Sequence, residues 1–136
     1  MNQSTSSPKL TAQETQLIER LRQHPEMLTR MQSILDLAHA TDAGRTAIKR
    51  TLTEIADDGV PYLWLKRCLA EGRDGTRLPG CVKFYIPQPD GQWGAVLTAD
   101  THDGAKTLLL LAAGERHPTQ PWRPSVYQVA NARLNN

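Results

Sequence analysis

Apolar positions in the first half of the chain recur at helical spacing. Leu17, Ile18 and Leu21 mark one face of a first helix, which opens at a Thr11/Glu14 capping box with Leu10 where a hydrophobic staple would sit. His24-Pro25 interrupts it, because a proline inside a helix loses a hydrogen bond and clashes with the preceding turn. Leu28, Met31, Ile34, Leu35 and Ala38 resume a helical stripe, with Pro25 tolerated at the first position of a second helix. Positions 17, 21, 24, 28, 31, 35 and 38 alternate in steps of four and three, a heptad-like seam with His24 as its polar member. The seam fits either a dimer-forming coiled coil or two helices packed on their own domain, and Pro25 in its middle favours the second. Asp42 to Gly44 read as a turn. Thr46 to Asp58 reads as a third helix with Ile48, Leu52 and Ile55 inward, stopped by Gly59 with Pro61 just beyond. Tyr62, Leu63, Leu65, Cys68 and Leu69 suggest a fourth, shorter helix with Trp64 nearby.

The period falls to two beyond the stretch Gly72 to Gly80. Cys81 to Ile86 reads as a strand, Pro87 to Gln92 with its Asp90-Gly91 as a turn, and Trp93 to Ala99 as a second strand. Asp100 to Gly104 is another turn. Lys106 to Ala112 is almost wholly apolar and therefore a central strand. Residues 117–124 carry three prolines and read as a stiff loop. Val126 to Ala130 is expected to be a fourth strand. Residues 1–9 read as a disordered tail and the closing ARLNN as frayed. The expected fold is α+β, a single domain over residues 10–136. A helical layer of three to four helices (10–72) is followed by, and packed on, a small antiparallel sheet of three to four strands (80–130).

The chain has 136 residues, enough to bury a core without disulfide or metal staples. Sixteen Lys and Arg against 14 Asp and Glu leave a net charge of +2, which excludes both a polycation and an acidic mimic of DNA. The longest uncharged apolar run, Thr107 to Gly114, is too short to span a bilayer, and MNQSTSSPKL lacks the apolar core of a signal peptide. A soluble cytoplasmic protein without a membrane partner is expected. Cys68 and Cys81 are the only cysteines, and their spacing with His24, His39, His102 and His117 matches no zinc finger or ribbon. The expectation is two reduced thiols, no metal and no cofactor.

Candidate chemistry gathers in the run LAHATDAGRTAIKRTLTEIADDGV, Leu37 to Val60. Ala38 is the small residue needed where two helices approach, Asp42-Ala43-Gly44 supplies a tight turn, and Ile48, Leu52 and Ile55 supply a buried face. The outward face then carries Arg45, Thr46, Lys49, Arg50 and Thr53, residue types that reach phosphates and base edges. The run resembles the helix-turn-helix of small bacterial DNA-binding regulators. That resemblance implies a second helix in the major groove of double-stranded DNA, with those five residues in contact. The run LIERLRQHPEMLTRMQSILDLA is similar to the leading segment of some transposase-related proteins of mobile elements.

Lys66 and Arg67, with Arg73 and Arg77, form a second basic cluster around Trp64, suited to clamping a phosphate backbone or to a solvated helix end. Arg116, His117, Trp122, Arg123 and Tyr127 lie on the proline-rich segment. Trp122, Arg123 and Tyr127 are anchor types for a protein partner, and the aromatics also suit stacking on single-stranded bases. His102 with Asp100 or Asp103 and Ser125 or Cys81 has no spacing that fixes a triad. No glycine-rich phosphate loop, GxSxG or HExxH motif occurs. The expected function is therefore non-enzymatic: a small DNA-binding regulator or accessory protein, possible as a homodimer. The alternative is a protein-interaction module, an adaptor or inhibitor, without DNA affinity.

Overall fold

Thr11 and Glu14 close the expected capping box: each one's side chain accepts the other's backbone N–H, at 3.1 and 2.8 Å. They start α1 (Ala12–Arg22), the first element of a computed structural model that describes residues 10–29, 31–60, 62–68, 76–86, 91–102, 105–120 and 122–135. The expected tail (1–9), most of the turn at 87–92, Arg73 and Asp103 fall outside those residues. After α1 come β1 (Met27–Thr29), α2 (Met31–His39), α3 (Asp42–Asp58), a 3-10 turn (Tyr62–Trp64), β2 (Lys66–Arg67), β3 (Cys81–Ile86), β4 (Trp93–His102), β5 (Ala105–Glu115) and α4 (Val126–Leu134). The class is α+β, with four helices and a five-stranded mixed sheet among the described residues.

The sheet order is β1-β5-β4-β3-β2. β3, β4 and β5 form the expected antiparallel meander, and β2 extends it antiparallel beside β3. β1 joins in parallel beside β5, with Met27 opposite Leu108 and Thr29 opposite Leu110. Leu28 therefore belongs to a strand and not to the helical stripe, and the heptad seam is broken there. Three apolar-rich residues satisfy either period, and the pairing partner decides between them. Tyr62 to Cys68, the described part of the expected fourth helix, is not an α-helix. The single 3-10 turn Tyr62–Trp64 is followed at once by the two-residue strand β2.

The segment Val126 to Ala130 is not a strand. Ser125 accepts from Gln128 N and Gln128 reaches back to Ser125 N, a capping box that starts α4. ARLNN is not frayed up to Leu134: Arg133 grips Asp36 of α2 through two 2.8 Å contacts. Asp42 to Gly44 is not a turn either. Thr41 is the N-cap and accepts from Gly44 N, so α3 begins at Asp42, four residues before the expected start. Gly59 ends α3 as expected, with φ of 91°, a conformation that side-chain-bearing residues rarely adopt.

Strand alternation divides the core in two. On one face Val82, Phe84, Ile86, Trp93, Ala95, Leu97 and Leu110 meet α1, α2 and α3 through Leu17, Leu21, Ile34, Leu37, Ile48 and Ile55. On the other, Cys81, Val96, Leu109, Leu111 and Ala112 meet α4 through Val126 and Ala130. Leu111 and Ala112 share a face because the register shifts between Val96 and Leu97, a bulge in β5. The backbone near the bulge is taken up from outside the sheet. Ser33 Oγ of α2 donates to the carbonyls of Leu110 (2.7 Å) and Leu111 (3.1 Å), Asp36 accepts from Ala113 N, and Arg133 donates to Leu111 O.

Candidate nucleic-acid interface

The alternation that sends Val82, Phe84 and Ile86 into the α1/α3 core turns Cys81, Lys83 and Tyr85 to the opposite face. α4 covers only part of that face. β2 brings Lys66 opposite Lys83, and Arg116 follows the end of β5. Gly94 pairs with Tyr85, and the stem of Arg116 lies where a Gly94 side chain would project: an added Cβ would be 3.1 Å from Arg116 Cγ. Arg116 therefore lies over the Tyr85 ring, its guanidinium carbon 3.7 Å from the centroid. Lys66 Nζ is 4.7 Å and Lys83 Nζ 5.5 Å from the same centroid.

Tyr127 of α4 closes the cluster. Its ring centre lies 5.1 Å from Lys83 Nζ, its hydroxyl accepts from Arg116 Nε (3.2 Å), and its ring is tilted against His117. Arg116 Nη1 donates to the Gly91 carbonyl, which fixes the guanidinium. Among the described residues no carboxylate pairs with Lys66, Lys83 or Arg116. Burial pushes the Tyr85 phenol upward, but the positive charges of Lys83, Arg116 and Lys66 outweigh that and hold it below the ordinary tyrosine value. Three cations concentrated on two aromatic rings present positive charge and π surface together, a chemistry suited to phosphates and to bases.

The other sequence-derived candidates separate. Arg45 turns toward α1, where its guanidinium binds both carboxylate oxygens of Glu14, itself only 1% exposed. That contact, against burial, holds the Glu14 carboxyl at about 2. The hydroxyls of Thr46 and Thr53 donate to carbonyls of their own helix, at Asp42 and Lys49. Lys49 is half-buried and Arg50 exposed, with Asp42, Glu54, Asp57 and Asp58 also exposed along α3. Lys66 lies on the far side of the sheet from α3. Arg67, the next residue of β2, alternates away from Lys66. The five helix residues and the β2 pair thus do not form one surface.

Trp122 is exposed, Arg123 pairs with Glu115 at 3.2 Å, and Tyr127 belongs to the cationic cluster. The sequence alone does not single out Lys83 and Tyr85. Their signal was present in the alternation of CVKFYI, but only the pairing of β2 with β3 shows that a second lysine joins them. Ser125 serves as the cap of α4 and Cys81 is buried. A cleft of about 160 Å³ between α2, β5 and α4 holds Asp36 and Glu115, each already paired with an arginine. Among the described residues no group of three or more His, Cys, Asp or Glu is placed to hold a metal ion, and no helix is long and apolar enough to cross a membrane. No family model, curated protein or solved structure matches the chain.

Proposed function

We propose that the chain is a non-enzymatic nucleic-acid-binding protein, a regulator or accessory factor that meets DNA with the sheet face beside α4. One observation carries this reading: Lys66, Lys83 and Arg116 converge on Tyr85, and among the described residues no carboxylate pairs with them. A phosphate backbone laid across the face would receive three cations, with Tyr85 and Tyr127 as flanking rings. The +2 net charge suits a local patch better than wrapping of a long polyanion.

Fluorescence anisotropy with a labelled mixed-sequence duplex tests it. Binding is expected to weaken as salt rises. Lys83→Glu and Lys66→Glu are each expected to weaken it about tenfold and to lower the salt slope by about one. Lys49→Glu and Arg50→Glu should leave affinity within about twofold. Loss of binding only in the α3 variants would move the interface to the helix-turn-helix-like segment. Absence of salt-dependent binding by the unaltered protein removes the proposal.

A second reading, a protein-interaction module, is favoured by the turn Tyr62–Trp64. Leu63 is 97% exposed and Trp64 75%, and Trp122 is 78% exposed. Aromatic and apolar residues held this far into solvent are typical anchors of interfaces. If they join two copies of the chain, light scattering will show a dimer that Trp64→Ser or Trp122→Ala converts to monomer. A monomer at every concentration removes the homodimer form of this reading.

A further inference from the structure

Cys68 directly follows β2 and continues its pairing. The register Lys66↔Lys83 and Arg67↔Val82 brings Cys68 opposite Cys81, and the Cys68 N–H donates to the Cys81 carbonyl at 3.0 Å. Both side chains join the same apolar cluster on the α4 side, Cys81 buried and Cys68 half-buried. Residues directly opposite in an antiparallel pair have Cα atoms about 4.5–5.5 Å apart, inside the span that a disulfide bridges.

We propose that Cys68 and Cys81 form a reversible redox pair, closing on oxidation to an intramolecular cross-strand disulfide that staples β2, with Lys66 and Arg67, to the sheet. The pair stands apart from the nucleic-acid reading, and its test involves no nucleic acid. The oxidant is a small-molecule disulfide. The Cys68 thiolate, the more accessible sulfur, attacks the oxidant's S–S bond, forming a mixed disulfide and releasing one small thiolate. Cys81, deprotonated, then attacks the Cys68 sulfur and releases the second. Two protein thiols lose two protons and two electrons, and the oxidant becomes two thiols.

Burial pushes the Cys68 thiol up to about 11, aided by neighbouring Cys81 and opposed by Lys83, and burial raises Cys81 as well. The thiolate is the attacking form, so closure should accelerate as pH rises. The bond would close a short loop and restrain the unfolded chain, and so raise the melting temperature.

The test exposes the native full chain to oxidised glutathione at about pH 7 and about pH 9. Expected is a monomer lighter by about 2 Da, formed faster at the higher pH, melting about 5 °C or more higher and reopened by dithiothreitol. Tryptic cleavage at Arg73 or Arg77 should leave the Cys68 and Cys81 peptides joined. Cys68→Ala should abolish the mass loss. Cys81→Ser should instead hold a stable glutathione adduct on Cys68. A lasting adduct on the unaltered chain, covalent dimers, unmodified protein, or closure only in urea would each overturn the proposal.

Discussion

Arg45→Gln is expected to destabilise the fold by about 3–5 kcal/mol. The Glu14 carboxylate is buried and receives two guanidinium donors from Arg45, beside the capping-box N–H of Thr11. Removing the arginine leaves a desolvated charge with one hydrogen bond, at the junction that joins α1 to α3. The pH dependence identifies the cause. Glu14 is held near 2 in the folded chain against an ordinary 4.5. A depressed carboxyl contributes stability that is full above its unfolded value and is lost as pH falls through the folded one. The difference between parent and variant should therefore narrow as pH drops from about 5 toward about 2, measured by urea unfolding at each pH. Glu14→Gln combined with Arg45→Gln should recover most of the loss, because no buried charge remains. A loss below about 1 kcal/mol that does not change with pH would reduce the pair to an ordinary surface ion pair.

Gly44→Ala tests a second contact, and its sign is informative. In an exposed helix, alanine is favoured over glycine by about 1 kcal/mol. In α3 the added Cβ would lie 2.1 Å from Cη2 of Trp93 and 2.3 Å from Cζ2. The indole is buried in the core against α3. A destabilisation of about 3 kcal/mol is expected, read by thermal or urea unfolding. Trp93→Leu in the same chain should couple to it favourably by more than about 1 kcal/mol. The coupled change also removes a buried indole N–H that has no acceptor among the described residues. A stabilised Gly44→Ala variant would mean that the helix does not rest on Trp93.

Local signals in the sequence are sufficient where one residue type answers to one geometry. The Thr11/Glu14 box, the Gly59 stop and the alternation of CVKFYI are of this kind. Distant partners decided the rest. Leu28 reads as part of a helical stripe until β5, about eighty residues later, pairs with Met27–Thr29 as a strand. Gly44 resembles a turn residue because glycine usually marks one, whereas here it makes room for Trp93. Ser125 and Gln128 carried a visible capping box, which the β-rich pair Val126-Tyr127 obscured. The amphipathic pattern of α3 placed Arg45 beside Lys49 and Arg50, but could not show that Glu14 occupies it. The cationic cluster is half visible in the sequence: Lys66, Arg116 and Tyr127 fall in separate groups, and only the sheet register joins them through Lys83 and Tyr85.

The clasp that α2 and α4 place near the bulge of β5 also bears on aggregation. TLLLLAA, Thr107 to Ala113, is uncharged, apolar and free of proline, the composition that templates cross-β assembly when exposed. In the folded chain β4 occupies one side of it, and β1, Ser33 and Asp36 occupy the other. Among the described residues the outermost strands offer neighbouring molecules three residues at β1 and the cationic pair Lys66–Arg67 at β2. Loosening α2 therefore uncovers a strand edge together with the part of the core that Ile34 and Leu37 close. Damage at Ser33 or Asp36 would first appear as self-association of otherwise folded molecules, at concentrations and temperatures well short of global unfolding.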